Sequence, residues 1–76
     1  MTILILAAPS MHIMINGENR ELTAGVTVAA LLETLRIDTR KVAVERNLEI
    51  VSKSAFTTTE IQDGDRLEIV HFIGGG

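Results

Sequence analysis

Cysteine is absent from this chain, and its absence excludes disulfide frameworks, zinc ribbons, iron–sulfur ligation and thiol nucleophiles. Tryptophan and tyrosine are missing too, and two phenylalanines, Phe56 and Phe72, are the whole aromatic complement. The core must therefore be built from Val, Ile, Leu and Met. Positive charge is scarce: seven Lys and Arg against ten Asp and Glu leave a formal charge of −3. That balance supplies no stripe to track phosphates, which excludes a basic nucleic-acid binder. No apolar run approaches the ~20 residues of a membrane-spanning helix. What is present is a 76-residue chain that is 46% apolar, too apolar for a disordered chain and short enough for one domain. A domain of this size buries only ~60% of its unfolded surface, so without a staple its elements must be regular and well patterned. A self-contained enzyme pocket is not expected; a carrier or binding module is.

Residues 1–10, MTILILAAPS, differ from the rest. The apolar run Ile3–Ala8 is too short to span a membrane and has no basic segment before it, so it is not a secretory signal. Pro9-Ser10 punctuates the chain, and Met11 opens a clean alternation. Residues 1–10 are therefore read as a leader or extension before a domain spanning 11–76, with an extra edge strand or a packing arm as the alternative. Without a targeting pattern, the expected location is the cytoplasm.

His12-Ile13-Met14-Ile15 suits a half-buried strand with Ile13 and Ile15 inward. Asn16-Gly17 is the strongest short hairpin signal, because both positions accept positive φ. Arg20-Glu21-Leu22 reads as the returning strand, ended by Ala24-Gly25. Thr27 can then cap a helix whose apolar face is Val28, Leu31, Leu32 and Leu35, at i, i+3, i+4 and i+7. This helix should run ~10 residues, to Arg36 or Ile37. Val42–Glu45 is a third strand with Val42 and Val44 inward, and Arg46-Asn47 turns into a short strand, Glu49–Val51. Residues 52–60 show no period and read as a loop with one helical turn around Ser54-Ala55-Phe56. Asp63-Gly64-Asp65 is a tight turn leading to a last strand, Arg66–Phe72. The class is α+β: a mixed four- to five-stranded sheet packed on one main helix. Placing the last strand parallel to the first buries Leu67 and Ile69 beside Ile13 and Ile15, which is the β-grasp, or ubiquitin-like, topology.

Ordinary catalytic constellations are missing. Ser52 and Ser54 lack a Gly-x-Ser-x-Gly context. His12 and His71 could meet across adjacent strands, but without a matching carboxylate they read as strand residues, not as a metal pair. Turn chemistry accounts for Asp63 and Asp65. Gly74-Gly75-Gly76 cannot cradle a phosphate, since no helix follows to hold the anion. A frayed end would also be glycine-rich, but a physical use is available. The four residues after Phe72 can reach ~13 Å beyond the domain. Without Cβ atoms, such a flexible tail can thread a narrow channel. It would carry the Gly76 carboxylate to a reacting centre. An ionised carboxylate is a poor acyl donor until it is adenylated.

From Met11 to Gly76 the chain resembles the ThiS family, the sulfur carriers of thiamine biosynthesis. The resemblance is carried by MHIMING, by the Thr27–Leu35 helix, by VAVERNLEIVSKSAF and, most specifically, by DGDRLEIVHFIGGG. It implies that Gly76 bears the sulfur, with Gly74 and Gly75 as its tail. It further implies a cycle in which an E1-like, ThiF-like enzyme consumes ATP to adenylate Gly76. A cysteine desulfurase or related persulfide system would then convert the adenylate to a thiocarboxylate, and thiazole synthase, ThiG-like, would accept the sulfur. The chain would be a co-substrate with no active site and no bound cofactor of its own. The MoaD-like small subunit of molybdopterin synthase shares fold and tail; its members commonly carry prolines before the glycines, where this chain has Val70-His71-Phe72-Ile73. A ubiquitin-like interaction module whose tail is never activated, and a protein modifier that forms isopeptide bonds, are the alternatives of other classes. Alternation along the last strand sends Glu68, Val70 and Phe72 to the open face with Met14. Met14, Val70, Phe72 and Ile73 are accordingly the expected partner-docking residues.

Overall fold

Asn16 and Gly17 take φ values of 49° and 82°, the positive pair that a two-residue hairpin turn requires, in the computed structural model. They fold β1 (Ser10–Ile15) back on β2 (Glu18–Thr23), with Ile15 opposite Glu18. The structure describes residues 9–72; the expectations for residues 1–8 and for the tail at 73–76 lie outside them. The sheet starts one residue ahead of Met11, and the Pro9 carbonyl already accepts the Ala24 N–H at 2.8 Å.

Helix α1 (Val28–Thr34) starts where Thr27 predicts, its hydroxyl accepting the Ala30 N–H at 3.1 Å. It stops earlier than the expected Arg36 or Ile37. The Arg36 N–H donates to Glu33 O and the Ile37 N–H to Leu32 O, with Arg36 itself at φ 58°. This is a Schellman closure, formed here without the usual glycine. Val28, Leu31 and Leu32 are buried and Leu35 packs at the margin of the core.

A 3-10 turn, Thr39–Lys41, leads into β3 (Val42–Arg46), which pairs antiparallel with β4 (Glu49–Val51). The connecting turn is Asn47-Leu48, one residue later than expected, with φ of 52° and 70°. A second 3-10 turn, Lys53–Ala55, sits one residue before the helical turn read from the sequence. β5 (Arg66–His71) follows the Asp63-Gly64 turn, and Gly64 has φ 85°.

The strand order is β2-β1-β5-β3-β4, with β1 and β5 parallel and all other pairs antiparallel. Helix α1 covers one face. Ile13, Ile15, Val42, Val44, Leu67 and Ile69 meet the helix residues in one buried cluster, as alternation requires. Phe56 and Ile61 join it from the aperiodic stretch. That stretch is ordered by the helix start: Val28 and Ala29 donate to the carbonyls of Thr59 and Phe56, and Ile61 donates to Val26. The otherwise unpaired amides of the first helical turn are thereby satisfied.

Asp65 is more than a turn residue. It is buried, at 5% exposure, and its carboxylate accepts Arg46 Nε at 2.6 Å, Gln62 N at 2.8 Å and Asn47 Nδ2 at 2.9 Å. Burial by itself would raise the Asp65 carboxyl, but the Arg46 guanidinium and the Gln62 and Asn47 donors outweigh it and hold the pKa below the ordinary 3.8. A depressed folded pKa contributes stability that is present above the unfolded value and lost as pH falls through the folded one. Asp65→Asn should therefore lower unfolding stability by about 2 kcal/mol at neutral pH, a figure discounted for the partial exposure of Arg46. The gap from wild type should begin to close as pH falls below the ordinary 3.8 and vanish once pH has fallen through the lower folded pKa, where the native carboxylate is itself protonated. Urea unfolding of both proteins across that range provides the check.

Candidate functional site

β5 occupies the centre of the sheet and delivers the chain to the glycine tail. Its inward residues, Leu67 and Ile69, are buried; Arg66, Glu68 and Val70 stand on the face away from α1. His71 lies opposite Val42, and the Phe72 N–H extends the pairing with β3 by donating to Lys41 O at 2.8 Å. Strand order thus persists to the residue immediately before position 73. Val70 and Phe72 are about half exposed, at 53% and 54%, as large apolar side chains beside the root of the tail.

The expected docking residues do not all come together. Met14 shares the open face with Val70, but β1 runs beside only the start of β5, where Met14 faces Arg66. Four residues of strand, ~13 Å, separate that level from Val70. The neighbours of Val70 are Ala43, directly opposite on β3, and Phe72. Ile73, Gly74, Gly75 and Gly76 lie outside the described residues.

Two apolar side chains missed by the sequence reading add to this face or its edge. Ile50 is opposite Glu45 and 78% exposed, and Leu48, at the hairpin tip, is 89% exposed. Nothing in a three-residue strand tells which of its side chains turns outward until its register with β3 is known. Glu45 and Glu68 sit opposite each other between these apolar residues, and neither forms an ion pair among the described residues.

Near the tail root the backbone is held by polar contacts. Asp38 caps the turn Thr39–Lys41, accepting the Arg40 N–H at 2.9 Å and its guanidinium at 3.1 and 3.0 Å. The side-chain hydrogen bond from Arg40 draws the Asp38 pKa down to about 2. Lys53 donates to the Arg40 carbonyl at 2.9 Å and lies over the Phe72 ring.

His12 and His71 do not meet: His12 lies 3.4 Å from Glu21, and His71 is at the far end of β5, against β3. Among the described residues no group of three His, Cys, Asp or Glu could hold a metal ion. Nor is any described helix long and apolar enough to cross a membrane.

Among the described residues, the sheet order, the one covering helix and the central strand β5 define a β-grasp, ubiquitin-like domain. The ThiS family model matches residues 13–76, from β1 through the last glycine. A thiazole synthase of Paramagnetospirillum magneticum is 61% identical over 66 residues, which are 87% of this chain and 20% of that protein. The chain thus spans about a fifth of that relative's length. The sulfur carrier protein ThiS of Bacillus subtilis is 44% identical over 50 residues, covering 66% of this chain and 76% of the relative. The crystal structure of the thiamine biosynthesis protein ThiS from Geobacter metallireducens superposes with a TM-score of 0.72 at 34% identity, covering 87% of this chain and 100% of that one. The chain belongs to the ThiS family.

The facing of β5 is open to a direct check. Val70→Asp should leave the melting temperature within a few degrees of wild type, because Val70 is half exposed. Ile69→Ala should cost about 2–5 kcal/mol, because Ile69 is buried. Thermal melts of the two variants should differ accordingly.

Proposed function

We propose that this chain is the sulfur carrier of thiazole formation in thiamine biosynthesis, with the Gly76 carboxylate as the sulfur-bearing group. The reading is carried by one observation: the 61% identical segment of the Paramagnetospirillum magneticum protein is part of a chain that is itself named a thiazole synthase. A thiazole synthase thus carries a segment similar to this chain, which favours thiazole synthase over molybdopterin synthase as the sulfur acceptor here.

The chemistry follows from the carboxylate. One of its oxygens attacks the α-phosphorus of ATP on an E1-like enzyme, and pyrophosphate leaves. The terminal sulfur of a persulfide, supplied by a cysteine desulfurase system, attacks the Gly76 carbonyl. AMP departs with the attacking oxygen. A thiol then takes the outer sulfur of the resulting acyl disulfide, leaving a thiocarboxylate and a disulfide on the donor side. Thiazole synthase consumes that sulfur. The domain binds no cofactor in this cycle; ATP is consumed by the adenylating partner. Glycine at the reacting position leaves the carbonyl unhindered, and no internal thiol is available to intercept the adenylate. Val70 and Phe72, half exposed at the tail root, are where both enzymes would grip the domain.

Incubation with the E1-like enzyme, ATP and a sulfur donor should add the mass of one sulfur less one oxygen to the intact protein. Deleting Gly76, or appending a residue after it, should abolish that gain without altering the fold. An undiminished gain in the extended form would overturn the assignment of Gly76. Val70→Asp should weaken binding to the adenylating enzyme and to thiazole synthase by about tenfold, the range expected on burying a charge in an apolar contact. Titration by calorimetry reads this directly.

A further inference from the structure

Two separately placed turns converge on the last residue before the tail. The Phe72 backbone is fixed to the turn before β3, donating to Lys41 O at 2.8 Å. The Phe72 ring lies 5.1 Å, centroid to Nζ, from the Lys53 ammonium. That ammonium is anchored in turn, donating to the Arg40 carbonyl at 2.9 Å. Lys53 opens the 3-10 turn after β4, and Arg40 belongs to the turn before β3. A lysine on an exposed turn would ordinarily keep its head in water and its stem mobile. Here one hydrogen bond to backbone holds the cation where it meets the face of a ring.

We propose that Lys53 is a positioning residue: by clamping the Phe72 ring it fixes the direction in which the tail leaves β5, and so presents Gly76 to the adenylating enzyme. This rests on the reading of Gly76 as the acyl donor. Glycines carry no orientation of their own, so the last side chain that can aim the tail is near its root. A ~20° swing at that root displaces the next Cα, ~3.8 Å on, by ~1 Å. Displacements of that order separate a carboxylate in line with a phosphate from one that is not.

The test combines spectroscopy with kinetics on the full chain. In the wild type, the Lys53 Hε protons should show an upfield ring-current shift that Phe72→Leu removes. Absence of that shift overturns the clamp whatever the tail does. In ATP-dependent adenylation by the E1-like enzyme, Lys53→Gln should lower kcat ~2- to 5-fold, the equivalent of ~0.5–1 kcal/mol, with KM for the carrier and the melting temperature nearly unchanged. Lys53→Arg should retain wild-type kcat, since guanidinium serves both as donor and over the ring. In the Phe72→Leu background, Lys53→Gln should cost nothing further. An unchanged kcat in Lys53→Gln, a rise in KM alone, or an undiminished loss in the Phe72→Leu background would each overturn the proposal. Failure of the wild type to be adenylated at all would overturn the Gly76 assignment and the kinetic role together, while the ring-current shift would still report the contact itself.

Discussion

The register of β5 is the constraint on which the rest of the structure depends. β5 is reached by a long connection from β4 at the sheet edge, so no tight hairpin sets its position. Side chains from other turns do this instead. The Asn16 amide donates to Ile69 O at 3.1 Å and accepts Ile69 N at 2.7 Å, behaving as one more residue of β1. Asn47 accepts Arg66 N at 2.9 Å on the other flank, and Asp65 ties Asn47 and Arg46 to the start of the strand. A slip of one residue would turn Leu67 and Ile69 outward and bring Arg66, Glu68 and Val70 inward. It would also move the root of the tail by ~3.3 Å. The same few hydrogen bonds therefore specify the core and the place from which the tail departs.

This arrangement divides the chain between two tasks. Positions 10–72 build a hydrogen-bonded frame in which every buried polar side-chain atom described has a partner. Positions after Phe72 carry the reactive group proposed for the carrier. The open face of the sheet lies between these tasks. It holds apolar side chains that contribute little to the fold, and two opposed glutamates, Glu45 and Glu68, that do not favour it. Such a face suits the docking role proposed for it.

The parts of the fold legible in the sequence are those set by local chemistry. Asn16-Gly17 could be read because both residues tolerate positive φ, and α1 because Thr27 and the Val28-Leu31-Leu32-Leu35 spacing act within two turns. Strand alternation placed Leu67 and Ile69 in the core correctly. What could not be read was set by tertiary contact. Phe56 and Ile61 are core residues in a stretch with no period, because its backbone is ordered by the start of α1. Asp65 looked like turn chemistry because its partners, Arg46 and Asn47, are distant in sequence. Leu48 at φ 70° is not a residue that propensity would place at the tip of a hairpin. The cation over Phe72 joins residues 19 apart and leaves no pattern along the chain.

The central position of β5 has a consequence for how the domain comes together. The hairpin β1–β2, helix α1 and the hairpin β3–β4 are each local, yet none of the strand pairs bridging the two hairpins exists without β5. Closing the sheet requires the ends of a roughly 50-residue loop to meet, an entropic cost that no partial structure offsets. Half of this domain is therefore not a smaller domain. Assembly should be all-or-none, and a single backbone cut anywhere between β4 and β5 would leave two fragments that recover a sheet only by finding each other.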